Sequence, residues 1–467
     1  MGRALACLSA IATGIGLLTD KYMLAATNFV EHYAQEEFHA TDAQKDFVKA
    51  AMYAGCILGM IVMGPASDVI GRRLGLIACS VITLIGAGMS ALAWSENALI
   101  AARVITGVGM GGEYPLASSH SAESSEKAGN GARNVALLYL FGSGFGQLMC
   151  PLVVYIMHVG GVPHEFLWRW IFGIGTILSV IGLVLRVLTT KDSAAFTESK
   201  QAEKANKESA YDMLAPYWRP LLGTAGCWLL FDIVEYGLKQ NDAAIFSADA
   251  DAPYTKSILE VLWSRLFVIP SLIFAPWLLT KSSSKRVQLV GFAGCTLANL
   301  VLAVAYEPLQ DIRSLFMTFY IVQLSFQSLP GVTTMAISAQ IYPSCVRATA
   351  AGISAASGKL GAVIGSYFFS ELKNKGEIDA IFWCVVGTSG LAMILTFLAI
   401  PYYNGNTLVE AEMQCRSGKP SQAVLTLFSG PLRNDGTKAD GFKVHELSET
   451  SETSSDEVST DCSGRTV

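Results

Sequence analysis

A chain of 467 residues that is 52% hydrophobic and only 15% charged, with a mean hydropathy of +0.42, is too apolar for an ordinary soluble fold, where about 25% of residues carry charge. Its net charge of −5 comes without any basic block, which argues against a nucleic-acid surface. Its ten scattered cysteines include no C-x-x-C pair, so they read as small core residues and not as a disulfide framework or metal site.

A hydrocarbon layer about 30 Å thick takes roughly 20 residues of helix. Apolar runs of that size begin near Ala4, Phe47, Leu74, Asn97, Asn134 and Trp168, and, after a polar interruption, near Pro220, Ser257, Val287, Leu315, Ala350 and Ala380. The expected fold class is an all-α membrane protein with two six-helix halves, residues 1–191 and 219–403. A charged linker over 192–218 joins them, and a tail follows over 404–467. The first run is too long for a signal-peptide core and holds Asp20 and Lys21, so it reads as a true span. Arg72, Arg73, Lys127, Arg133, Lys191 and Lys281 cluster in alternate loops, which puts both termini on the cytoplasmic side.

In chain order, the first notable segment is GPASDVIGRR, Gly64 to Arg73, between spans 2 and 3. It has a G-x-x-x-D-x-x-G-R-R shape in which Gly64 and Gly71 permit a tight turn. Asp68, Arg72 and Arg73 can form a charge latch at a helix end. The counterpart TKSSSKR from Thr280 keeps only the basic end, as a decayed half-repeat would. Span 4 carries Arg103, grouped here with the latch, then Gly107, Gly109, Gly111 and Gly112 before Glu113 and Tyr114. Close helix packing accounts for the glycines but not for the charges. Each charge costs about 2.5–3.5 kcal/mol at mid-membrane and so needs a partner, water or a job. The same holds for Asp20 in span 1, Asp232 and Glu235 in span 7, Arg265 in span 8 and Lys359 in span 11. Lys239 follows Glu235 by one turn and can pair with it.

In span 7, Trp228, Asp232 and Tyr236 recur every four residues and share one helix face. A carboxylate between two aromatic hydrogen-bond donors suits a small polyoxyanion. Lys359 is the one cation in GISAASGKLGA, a helix of small residues that can approach its neighbours closely. The tail segment HELSETSETSSDEVSTD has almost nothing to bury and is expected to be disordered. Thr453 and Ser454 each precede an acid by three residues, a pattern that acid-directed kinases use. A merely solvating tail explains the composition equally well.

The segments LLTDKY, RVITGVGMGGEYPL, WRWIFGIG, GTAGCWLLFDIVEYG and YPSCVRATAAGISAASGKLGA resemble, in order, the phosphate:proton symporter family of the major facilitator superfamily. The resemblance implies that Tyr114, Trp228, Asp232 and Tyr236 surround the anion with Lys359 nearby, and that Asp20, Glu113 and Asp232 are linked to protons. It departs from the family at several positions. Lys21 and Met23 replace an alanine and a second aspartate of T-D-A-Y-D, and Glu113 replaces an aspartate. Ser143 and Gly331 align with two cavity amides, whose loss implies a roomier site. The GGEYP form is also similar to glycerophosphoinositol and glycerophosphodiester permeases.

The expectation is therefore proton-coupled uptake of monovalent inorganic phosphate by alternating access, with the proton gradient in place of any cofactor. Asp232 beside an anion is favourable only in its protonated form, so proton and substrate bind together. The rivals are uptake of a larger phosphate ester and a nutrient sensor signalling through the acidic tail. No nucleophile, metal or nucleotide motif suggests an enzyme.

Overall fold

The computed structural model describes residues 2–123, 131–192, 197, 214–246 and 254–401. Most of the expected linker, the expected tail and the Thr453 and Ser454 positions lie outside the described residues. Twelve long helical rods follow in order: α1 (Gly2–Glu37), α2 (Asp42–Ile70), α3 (Arg72–Ala91), α4 (Glu96–Glu123), α5 (Gly131–Val159), α6 (His164–Thr189), α7 (Trp218–Phe246), α8 (Tyr254–Lys281), α9 (Ser284–Val304), α10 (Arg313–Ser338), α11 (Arg347–Asn374) and α12 (Ile378–Ala399). A single short helix, Tyr306–Asp311, leads into α10. Within α5, Leu140–Gly146 winds as a π-helix, a wider turn often found at functional sites.

Among the described residues, nine of the rods are long and apolar enough to cross a membrane. The other three, α1, α4 and α11, carry Asp20 and Lys21, Arg103 and Glu113, and Lys359. They are the helices least suited to lipid and most in need of an interior position. Peripheral helices show the opposite character. Only 28% of the apolar stretch of α8 is buried, against 61% for α5 and α7. α8 turns Trp263, Phe267, Phe274 and Trp277 outward, a display of large apolar side chains that only a lipid environment makes favourable.

The two sets of six helices repeat one packing scheme. α1 packs on α6 as α7 does on α12, and α2 on α4 as α8 does on α10. α3 contacts α4 and α6 as α9 contacts α10 and α12. Across the sets, α2 lies along α11 and α5 along α8. The α7–α11 pair is drawn close by Gly361 and Gly365, where a Cβ would collide with the Leu229 and Ile233 carbonyls. Small residues let two backbones meet in this way. That approach brings Lys359 onto the face of α7 that bears Asp232.

Cys56, Cys79, Cys150, Cys227, Cys295 and Cys384 are free thiols, and five of them are buried as expected of core residues. Cys345 corrects the uniform reading, because it is disulfide-bonded.

Candidate functional site

The i, i+4, i+8 stripe on α7 faces the interior, and Trp228, Asp232 and Tyr236 are all buried. Lys359 Nζ donates to Asp232 Oδ2 at 2.8 Å and to the Tyr236 hydroxyl at 2.8 Å. It also lies 4.1 Å from the Tyr236 ring centroid and 5.6 Å from that of Tyr114, within cation–π range. From α1, Lys21 Nζ reaches the same Tyr236 hydroxyl at 3.2 Å and lies 5.1 Å from the Tyr114 ring centre. Tyr53 of α2 meets Tyr236 edge to face at 5.7 Å, and Trp228 packs against Gly358. The five expected substrate residues are thus brought together around one chamber wall, with Lys21 added. The Tyr114 hydroxyl is buried without a hydrogen-bond partner, a costly condition that a polar ligand would relieve.

A second buried cluster joins α1, α3, α4 and α6. Arg186 donates through both terminal nitrogens to the Glu113 carboxylate, one contact being 2.7 Å, and Arg186 Nη1 also donates to Ser80. Such forked pairing fixes orientation as well as charge. Asp20 lines the same cavity, of about 210 Å³, and neither of its carboxylate oxygens has a hydrogen-bond partner. Of the three acids expected to handle protons, Asp232 and Glu113 are therefore ion-paired, and Asp20 is not.

The loop motif forms a third cluster. Asp68 pairs with Arg72 at 2.5 Å, and Arg72 donates to Glu123 at 3.0 Å and to the Ser344 carbonyl at 3.0 Å. Arg347 stands 3.6 Å from Glu123. The Thr349 N–H donates to Asp68 Oδ2 at 2.8 Å, so one carboxylate serves both sets of helices. Gly64 admits this crossing, since a Cβ there would come within 2.7 Å of the Ala348 carbonyl oxygen. Gly71 takes φ of 102°, a backbone region that favours glycine. The Arg73 N–H donates to Asp192 at 2.8 Å, while its residue is exposed.

Arg103 does not join this latch. It lies 20 residues before Glu123 on α4, about 30 Å along the helix axis. There its guanidinium donates to the Met23 carbonyl at 3.0 Å and to Thr27 at 2.8 Å. The expectation of a roomier site also needs correction. At Gly331 the space is filled by the Tyr139 side chain, whose Cζ would stand 2.8 Å from an added Cβ. Ser143 lines a neighbouring cleft of roughly 400 Å³ with Tyr139, Gln147, Glu235, Lys239 and Arg265. Glu235 pairs with Lys239 as expected.

Residues 7–241 match the Major Facilitator Superfamily, and residues 245–414 match the sugar (and other) transporter family. The chain belongs to the Major Facilitator Superfamily. It is a multi-pass integral membrane transporter. Among relatives of this superfamily, it is 28% identical to inorganic phosphate transporter PT2 of Toxoplasma gondii over 381 residues, covering 79% of this chain and 66% of the relative. It is 29% identical to glycerophosphoinositol permease 1 of Candida albicans over 433 residues, covering 87% and 80%. The fold is similar to that of the major facilitator proton:xylose symporter XylE, with a TM-score of 0.79 at 17% identity, covering 88% of this chain and 99% of that one.

Within this superfamily fold, the sequence reading missed three functional candidates: Lys21, Glu123 and Arg186. Arg186 had a visible signal, since it interrupts the apolar run LSVIGLVLRVLT alone, and a lone charge inside a span demands a partner. Glu123 and Lys21 had weaker signals. One closes a helix beside polar residues, and the other sits next to an acid.

Proposed function

We propose that this transporter carries inorganic phosphate together with protons by alternating access. The observation that supports the reading is the convergence of Trp228, Asp232, Tyr236 and Lys359 with Tyr114, all buried, between two repeated helix sets. Lys359 and Tyr236 would give up part of their mutual bonding to an incoming oxyanion. Asp232 would then lose its cationic partner to the anion and take a proton, so the two loads enter together. Asp20, whose carboxylate is unpartnered beside the Glu113–Arg186 pair, is the second proton carrier in this scheme. The Asp68–Arg72–Glu123 latch would hold the cytoplasmic end shut while the opposite end exchanges substrate.

The protein would reside in the plasma membrane with both termini in the cytoplasm, and kinases would act on Thr453 and Ser454. Phosphate is preferred over a diester because Tyr139 fills the space beside Gly331, which leaves less room for an ester group. Uptake of labelled phosphate into proteoliposomes, competed by phosphate esters, tests the substrate. Lys359→Ala should lower phosphate affinity by about tenfold or more, and Lys359→Arg by much less. Equal, near-normal affinities in both variants would remove Lys359 from the site.

A further inference from the structure

Lys21 stands where the T-D-A-Y-D pattern has alanine, and it is only 6% exposed. Its ammonium and that of Lys359 both lie within hydrogen-bond reach of one acceptor, the Tyr236 hydroxyl, and both lie over the Tyr114 and Tyr236 rings. Lys359 has Asp232 as its carboxylate partner. Among the described residues, no carboxylate lies within ion-pair distance of Lys21. The other groups facing this place do not supply one. Glu235 is held by Lys239, Glu113 is held by Arg186, and Asp20 lines the cavity beside Arg186. Tyr53 accepts from Gln240 at 2.6 Å.

The chamber therefore holds two cations and one carboxylate, and uncompensated charge in such a buried place is expensive. A monoanion would balance it with Asp232 ionised, leaving no place there for a coupling proton. A dianion balances it only when Asp232 takes up a proton. We propose that Lys21 makes this a site for a doubly charged phosphate, the hydrogenphosphate dianion or the dianion of a phosphate monoester, and selects against singly charged diesters. This rests on the phosphate reading above and replaces the monovalent form with the divalent one.

The test uses the purified full chain in lipid nanodiscs at pH 8, with inorganic phosphate, methyl phosphate and dimethyl phosphate as probes. A phosphate monoester has its second pKa near about 6 and is doubly charged there; the diester carries one charge. The wild-type protein should bind methyl phosphate about tenfold or more tighter than dimethyl phosphate. Lys21→Gln should bring that ratio down by about tenfold through weaker monoester binding, and Lys21→Arg should preserve it. Steric differences between the two esters persist in every variant, so the change in ratio reads charge alone. A wild-type protein that binds both esters equally, or a Lys21→Gln variant with the wild-type ratio, overturns the proposal. If the wild-type protein binds none of the three probes, the phosphate reading itself fails along with it.

Discussion

The latch around Asp68 and the chamber around Asp232 are both built from buried ions shared between the two helix sets, yet they are finished to different degrees. In the latch every acid has several donors. Asp68 accepts from Arg72, the Thr349 amide and the Thr349 hydroxyl, and Glu123 serves Arg72 and Arg347. In and beside the chamber, the Tyr114 hydroxyl and both Asp20 oxygens have no partner, and Lys21 has only a hydroxyl to donate to. A fully bonded network favours one arrangement, whereas a partly bonded one carries a cost that a visiting ion can relieve. The first suits a gate, and the second suits a binding place.

The largest effect should come from Asp232→Asn, which mimics only the protonated form. Accumulation of phosphate against its gradient should be lost while the protein remains folded and still binds phosphate. Wild-type accumulation by this variant would take Asp232 out of the coupling. Next in size is Arg186→Met, which leaves Glu113 buried and unpaired and should cost about 3–5 kcal/mol of stability. Adding Glu113→Gln should recover most of the loss, and thermal unfolding in detergent of the two single variants and the double variant measures it. In the latch, Glu123→Gln should loosen the crossing of α2 and α11 without touching the chamber. Hydrogen exchange over residues 344–352 should then rise about tenfold or more, while phosphate affinity changes less than about twofold. The smallest effect is expected at the exposed Lys375–Glu371 pair. Lys375→Ala should shift stability by less than about 0.5 kcal/mol, which serves as the baseline for the buried pairs.

Much of this was legible in the sequence, because helical spans and one-helix stripes are local patterns. The apolar runs marked all twelve rods, and the spacing of Trp228, Asp232 and Tyr236 placed them on one face of α7. The loop motif located Asp68 and Arg72. What stayed hidden were partners brought together from distant helices. Glu113 and Arg186 are 73 residues apart, and Lys21 and Tyr236 are 215 apart; no periodicity links such pairs. The reading of Gly331 as open space failed for the same reason, since the Tyr139 ring that fills it comes from α5. Arg103 was misplaced with the latch because the sequence gives its helix but not its depth along it.

The π-helical turn in α5, Leu140–Gly146, can be regarded as a one-residue surplus in an otherwise regular winding. Ordinary helix advances about 100° per residue, so the surplus resets the azimuth of everything that follows it. Gln147, the next residue, accepts a hydrogen bond from Lys239 at 2.5 Å across the two helix sets. Removing a single residue from the turn would restore the regular winding and swing Gln147 roughly a quarter-turn away from Lys239. The deletion would leave α5 just as apolar and just as helical, yet it would face the wrong neighbours. In this rod, rotational phase is a separate property from hydrophobicity, and a shortened loop could not compensate for it.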